Sequence, residues 1–419
     1  MSRRPTIARW WSRLFAPHRP SAVESLTIIL GTALALFVVD SSIAGVLRAV
    51  VVLAITVGIV LMRPGSRLAD VLMLGFALAG LIAGVGAGLH HAKVAPTSLQ
   101  AVTGVASLIT GLALSAVATR RLLRPLHRWR KLVAVPIGIV VLATVVMPLT
   151  LAVFVTNTPY FALGDETPAD RGFAFEDVTV TTSDGVDLDA WYLPSANGAA
   201  IVLLGGCCSA RDDQLDNAGL LARHGYGVLM LDVRGRGGSG GHAMLWGWWG
   251  ETDVRAGVDY LTGRLDVADG RIGAIGMSVG GEQVMAAAGD DPRIRAVVAE
   301  GVSARGARDE GDPARGVGGS FNRYIDWVSR NAAGLMTSAD QPTPLREAVR
   351  SMSQQRLLVI VAGTMPAEIA AADTFAAQSP DVVTTWIAPG AQHTKAYDAH
   401  PAEWERRVID FYDDVLLAP

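Results

Sequence analysis

Cysteine is nearly missing from this 419-residue sequence. Its two cysteines, Cys207 and Cys208, stand side by side, which excludes a disulfide framework and would strain a bond between them. Acidic residues are scarce in the first 160 positions, where three Asp+Glu meet fifteen Lys+Arg, a balance of +12. The remainder holds 36 acids against 21 bases, a balance of −15, so the total of −3 averages two unlike halves. An acidic second half repels phosphate, and nucleic acid is not an expected partner. The sequence has no phosphate-cradling loop with its lysine and no cluster with metal-ligand spacing, so no cofactor and no metal are expected. Apolar residues are what is abundant. At 50% hydrophobic and 18% charged, the chain is too apolar for an ordinary soluble protein and too charged for a pure membrane bundle.

The apolar residues of the first half fall into stretches close to the ~20 residues that cross a bilayer, at roughly 25–40, 43–62, 69–90, 99–118 and 133–154. About five transmembrane helices are expected over 25–154, after a basic cytoplasmic amino terminus at 1–24 and before a linker at 155–172. Lys and Arg in short loops mark the cytoplasmic side. They gather at Arg3, Arg4, Arg9, Arg13 and Arg19, at Arg63 and Arg67, and from Arg120 to Lys131. Five crossings put all three clusters inside and the C-terminal region outside. The first stretch is the weakest, with a charge-free run only from Leu26 to Val39 and a tight turn required at Asp40-Ser41-Ser42. Four crossings would leave the C-terminal region on the side of the amino terminus. Asp70 sits at a span's end, Gly75, Gly80, Gly84, Gly86 and Gly88 suggest close helix packing, and the middles of the spans carry no acid or histidine, so the region reads as an anchor.

From Phe173 the pattern changes to short β-branched runs alternating with helical stretches. Strands are predicted at Val178 to Thr182, Val186 to Leu193, Ala200 to Leu204, Val228 to Leu231, Ile272 to Ile275, Ala296 to Ala299, Leu357 to Val361 and Val383 to Ile387. Such alternation predicts one α/β domain over 173–419, a mostly parallel sheet with helices on both faces. The stretch from about 301 to 355 has no clear strand and reads as an inserted cap, with Phe321, Tyr324, Ile325 and Trp327 expected to pack inward.

Gly276-Met277-Ser278-Val279-Gly280 follows one predicted strand directly and opens a helix of small residues. A serine on such a turn stands above the sheet, and glycines flank it because side chains would clash there. A second match, Gly237-Gly238-Ser239-Gly240-Gly241, is separated from its strand and lacks a following helix, so Ser239 is expected in a flexible loop. Serine needs a base, normally a histidine held by a carboxylate. His393 lies between the last strand and the last helix, where it can reach Ser278. The acid falls between them in chain order; Glu368 is the first choice, with Glu300 and Asp373 as alternatives. Oxyanion-hole N–H donors are expected at Val279 and Cys207, the latter after Gly205-Gly206, and both cysteines are expected to be small buried residues beside the site. Trp246, Trp248 and Trp249 are expected in core packing, with an acyl pocket or the lipid interface as the other readings.

Thr182-Ser183-Asp184-Gly185, Trp191-Tyr192-Leu193-Pro194 and Asp232-Val233-Arg234-Gly235-Arg236-Gly237-Gly238-Ser239-Gly240, together with the serine turn, resemble the α/β-hydrolase family over about 172–417. The closer likeness is to its membrane-associated bacterial branch, similar to serine aminopeptidase-like, dienelactone-hydrolase-like and dipeptidyl-peptidase-like enzymes. Together with the spans and arginine clusters, the resemblance leads to the expectation of a multi-pass protein of the bacterial plasma membrane with an outer serine hydrolase domain. It also implies a Ser278-Glu368-His393 triad and an acyl-enzyme route for a small-molecule, lipid or peptide substrate with an ester, thioester or amide bond. Two departures stand out: Gly205-Gly206 replaces the family's His-Gly, and Pro366 stands where the family often has Asp. The alternative is a non-catalytic membrane protein, a sensor or transport-related, that uses a hydrolase fold for binding.

Overall fold

The computed structural model describes residues 20–38, 43–63, 65–306, 308–309 and 316–418. The arginines at 3–19 and the Asp40-Ser41-Ser42 turn lie outside the described residues. Two compact units make up the chain, Met1–Val146 and Met147–Pro419.

The first unit contains α1 (Ala22–Val38), α2 (Ile43–Leu61), α3 (Arg67–Val94), α4 (Leu99–Leu123) and most of α5 (Arg128–Thr156). Of these, α3, α4 and α5 are long and apolar enough to cross a membrane, and α1 and α2 are shorter. Ser66 and Ser98 start α3 and α4 by accepting from the Ala69 and Ala101 amides at 3.2 and 3.1 Å, satisfying donors a helix leaves open. Glycine sets how closely α3 and α4 approach. A methyl group on Gly84 would lie 2.5 Å from Leu108 Cβ, and one on Gly104 would lie 2.3 Å from Gly88 Cα. Gly80 is equally tight, whereas Gly75 faces open space and plays no part in packing. Many large side chains point outward, Ile43, Leu132 and Ile139 being 81%, 76% and 61% exposed, while Leu30, Met73, Phe76 and Leu114 pack inside.

The second unit is built on an eight-stranded sheet in the order β1-β2-β4-β3-β5-β6-β7-β8. The strands are β1 (Glu176–Thr181), β2 (Asp187–Leu193), β3 (Ala200–Leu204), β4 (Gly227–Leu231), β5 (Ile272–Met277), β6 (Ile294–Glu300), β7 (Arg356–Ala362) and β8 (Val383–Ala388). β1 pairs antiparallel with β2 and β2 with β4, and every other pairing is parallel. Side chains alternate across β3: Ala200, Val202 and Leu204 enter one core, Ile201 and Leu203 the other. The first core is closed by α7 (Gly250–Thr262), α8 (Val279–Asp290), α10 (Leu345–Ser351) and α11 (Pro366–Gln378). The second is closed by α6 (Leu215–Arg223) and α12 (Pro401–Tyr412). Burying each Val, Leu or Ile fully stabilises by about 1.5–3 kcal/mol, which is why continuous apolar runs become central strands.

The segment expected as one cap over 301–355 divides. Leu345 and Val349 of α10 are fully buried in the core beside α8, so this part belongs to the helical layer of the domain. Ahead of it, α9 (Gly316–Met336) is the one long helix among the described residues of the insertion. Its inward face is made of Gly319, Ser329, Ala332 and Ala333. Phe321, Tyr324 and Trp327 are therefore 37%, 40% and 64% exposed and do not pack inward, while Ile325 is half-buried. Small residues let α9 approach its neighbours closely, and the large ones are left on the outside.

Candidate active site

Ser278 joins β5 to α8 with φ 54° and ψ −121°, a backbone state that costs an L-residue about 1–3 kcal/mol. The two glycines make the turn passable. A methyl group on Gly276 would lie 2.3 Å from the Gly280 carbonyl carbon, and one on Gly280 would lie 2.3 Å from Gly205 O. The Ser278 amide is also tied to Glu300 O at 2.8 Å. The hydroxyl therefore stands at the carboxyl edge of the sheet and at the amino end of α8, where the helix dipole favours negative charge.

Across that edge, Ser278 Oγ lies 2.9 Å from His393 Nε2, and His393 Nδ1 lies 2.7 Å from Glu368 Oε1. Glu368 is buried, and its second oxygen accepts from the Ala362 amide at the end of β7, 2.9 Å away. The hydrogen bond to Glu368 raises the His393 pKa above the ordinary histidine value, against the opposing effect of burial. Gly301 (φ +72°) makes room for the ring, since a methyl group there would lie 3.2 Å from His393 Nδ1. Thr364 Oγ1 donates to Ala391 O at 2.7 Å and holds the loop that carries the histidine.

The two alternative acids are placed elsewhere. Glu300 is buried, but its oxygens accept from the Ala396 amide and the Trp404 indole at 2.9 and 2.8 Å, so it braces the segment beyond His393. Asp373 is exposed on α11. A helix advances about 100° per residue, so five residues after Glu368 the side chain faces another direction.

The turn after β3 lies against Ser278: the position of a methyl group on Gly206 is 3.6 Å from Ser278 Cβ. Cys207 follows in the chain and Val279 is the first residue of α8. The cysteines are not buried: Cys207 is half-exposed and Cys208 exposed, because the turn opens at the sheet's rim. The Cys208 hydrogen bond, together with the charges of Arg236 and His393, holds the Cys207 thiol below its ordinary range against burial, and Cys208 is pushed up. Beneath this turn, buried Arg236 donates to Gly206 O, a role that the spacing of the glycine-rich loop did not signal.

The X-Pro dipeptidyl-peptidase (S15) family matches residues 138–410, more than half of the chain. This chain belongs to that family. Its α/β-hydrolase fold is shared with an esterase of Pyrococcus furiosus, Pf2001, which superposes with a TM-score of 0.50 at 24% identity over 62% of this chain and 99% of the esterase. A protein of Mycobacterium tuberculosis is 36% identical over 110 residues, covering 26% of this chain. The α/β-hydrolase domain-containing protein WAV2 of Arabidopsis thaliana is 32% identical over 119 residues, 27% of this chain. The chain spans 38% of the length of each of these two curated relatives.

In this S15-family chain the glycine-rich loop is held, not flexible. Ser239 is buried, donates to Asp232 O at 2.7 Å and accepts from the Asp189 amide at 2.9 Å. Arg234 pairs with Asp184 and Asp253 at 2.7 and 2.6 Å, so two of the sequence motifs meet in one ion network. The hydrogen bond from Arg234 is the main cause that holds the Asp184 carboxyl down at about 2. Trp248 is buried beside Val155, Ala332 and Ala333, with Trp246 and Trp249 half-buried around it. No cluster of three His, Cys, Asp or Glu with metal-binding geometry occurs among the described residues.

Proposed function

We propose that the chain is a membrane-anchored serine hydrolase that cleaves an ester, thioester or amide bond through an acyl-enzyme. The observation that carries this reading is the hydrogen-bonded series from Ser278 through His393 to Glu368 on a strand-to-helix turn. Ser278 Oγ attacks the substrate carbonyl and His393 Nε2 takes its proton. Glu368 keeps the other ring nitrogen protonated and stabilises the charged imidazole. The N–H groups of Val279 and Cys207 receive the oxyanion, with Arg236 holding the Gly206 turn that carries one of them. Such donors contribute about 10²–10³-fold each to kcat. His393 then returns the proton to the leaving group, and water, activated by the same histidine, releases the acid.

The family's name supports an X-Pro dipeptide amide as one candidate substrate, and an ester is the other that the proposed chemistry accepts. Both chemistries pass through the same acyl-serine. Anchoring is supported by the long apolar helices α3, α4 and α5 with their outward Ile, Leu and Val side chains. The arginine loops at 63–67 and 120–131 favour a multi-pass topology with the hydrolase unit outside.

Labelling the full-length protein with a fluorophosphonate tests the chemistry. Labelling is expected for the native chain and for Ser239→Ala and lost in Ser278→Ala. A folded native chain that stays unlabelled, or a Ser278→Ala chain that still labels, overturns it. A panel of p-nitrophenyl esters and Xaa-Pro anilides then ranks the substrates, and a C-terminal reporter active only outside the cytoplasm tests the sidedness.

A further inference from the structure

Helix α9 carries an apolar stripe on its outside. Val317, Phe321, Tyr324, Val328 and Leu335 recur at the spacing of one helical face, and all are exposed except Val328, which is half-buried. Val317 and Leu335 reach 88% and 89% exposure. In water such a face is a liability, and contiguous exposed apolar surface marks a contact.

The neighbours of α9 indicate what covers it. Its inward alanines, Ala332 and Ala333, cluster with Ala152 and Val155, which belong to the final turns of α5. Thr156, the last residue of α5, reaches Met336 Sδ at 3.8 Å. The same turns are fastened to the tryptophan loop by the Leu245 amide, which donates to Val155 O at 2.9 Å. α5 has 29 residues, about 43 Å at ~1.5 Å each, whereas a hydrocarbon core is about 30 Å thick. With Arg128, Arg130 and Lys131 of its first turn at one interface, such a span would bring the last turns of α5 to the headgroup level of the other. That is where α9 and the tryptophans hold them, and where Trp and amphipathic helices gain most.

We propose that α9 is an interfacial helix whose outer stripe rests in the headgroup layer of the bilayer crossed by α5, with lipid as its occupant. The inference rests on the reading of α5 as a membrane span. It gives the insertion a lipid-facing role and links lipid to the site. The tryptophan loop touches α8 through Gln283 Nε2, which donates to Gly247 O at 3.3 Å, and a methyl group on Gly247 would lie 2.7 Å from Val279 Cγ1.

Depth-dependent quenching tests it on the full chain in phosphatidylcholine vesicles. A cysteine-free background (Cys207→Ser, Cys208→Ser) receives a single environment-sensitive fluorophore through Phe321→Cys, Leu335→Cys, Asn322→Cys or Ile139→Cys. Nitroxide-bearing lipid is expected to quench positions 321 and 335 at least twofold more than 322, which lies on the other side of α9, and to quench 139 strongly. If 139 is quenched while 321 and 335 match 322, the interfacial helix is wrong and the anchor stands. If 139 is not quenched, the span reading fails and takes this inference with it. Shielding of 321 and 335 from both nitroxide lipid and aqueous iodide means that protein, such as a second copy, covers the stripe, which also overturns the proposal. Should a variant fail to fold, photolabelling of the unmodified chain with a diazirine-bearing phosphatidylcholine gives the same answer. Adducts within 316–336 are expected, and adducts confined to 22–156 overturn it.

Discussion

The two units dispose their large aliphatic side chains differently. Residues 147–418 bury Ile201, Val298 and Ile360 completely between sheet and helices, while the described part of 20–146 turns Leu132, Ile139 and Ile43 outward and packs Leu30, Met73, Phe76 and Leu114 among glycine, alanine and threonine. Under the proposed anchoring, each arrangement suits a different solvent. A water-facing domain gains from burying its large apolar groups. A bundle in lipid gains nothing from hiding them and relies on close backbone approach. The exposed stripe on α9 breaks the pattern of its own unit, and the interfacial position proposed for it would account for that.

The sharpest test of the second unit is chemical. Ser278→Ala and His393→Ala are each expected to lower kcat by about 10⁴–10⁶-fold in an ester hydrolysis assay. Glu368→Gln should lower it by about 10⁴-fold, with secondary structure by circular dichroism unchanged. A Glu300→Gln chain that lost as much activity as Glu368→Gln without losing stability would reverse the assignment of the acid.

Lysine separates the two solvents. Ile139 and Leu265 are both exposed, at 61% and 106%. Ile139→Lys is expected to cost about 3 kcal/mol of membrane insertion, whereas Leu265→Lys should fall within about 0.5 kcal/mol of neutral. Carbonate extraction of membranes, together with a thermal melt, reads both, and equal tolerance would remove the contrast between the units. A smaller effect tests close packing in the first unit. Gly104→Ala forces a methyl group against Gly88 and is expected to lower stability in detergent by about 1–3 kcal/mol. Gly75→Ala, with nothing nearby, should be neutral or stabilising by up to about 1 kcal/mol.

The pH dependence gives the smallest effect. In the proposed mechanism His393 must be neutral to accept the serine proton, and its hydrogen bond to Glu368 raises its pKa. Activity should therefore fall as pH drops through a midpoint above the ordinary histidine value, and Glu368→Gln should move that midpoint down. The stability contributed by the pair has the opposite sign: it is full below the unfolded histidine pKa and lost as pH rises through the folded one. A kcat/KM profile and a melt measured over the same pH range read both.

Much of this protein can be read along the chain. Every strand of the sheet lies within a few residues of its β-branched run, and the Gly-x-Ser-x-Gly turn and His393 occupy the places their neighbours suggest. The apolar helices also follow the hydropathy pattern, since backbone pairing and side-chain period are local properties. Other features did not follow from local pattern. Phe321, Tyr324 and Trp327 have core-like spacing, but the face that turned inward was the one small enough to lie against α5. Ser239 lies in a glycine-rich run whose pattern suggests a loose loop, but the backbone of Asp189 and Asp232 holds it.

The sequence by itself determined the split between an apolar basic half and an acidic α/β half, the Gly-x-Ser-x-Gly turn and the loop that carries His393, because each is encoded within a few residues. Only the tertiary structure decided which carboxylate hydrogen-bonds to His393. Glu300, Glu368 and Asp373 all fall within the required stretch of chain, and the choice depends on where β6, β7 and α11 end in space. Glu368 meets the ring at 2.7 Å, Glu300 is occupied by Ala396 and Trp404, and Asp373 faces solvent. Hydrogen bonds form over about 3 Å, and separation along the chain does not set that distance.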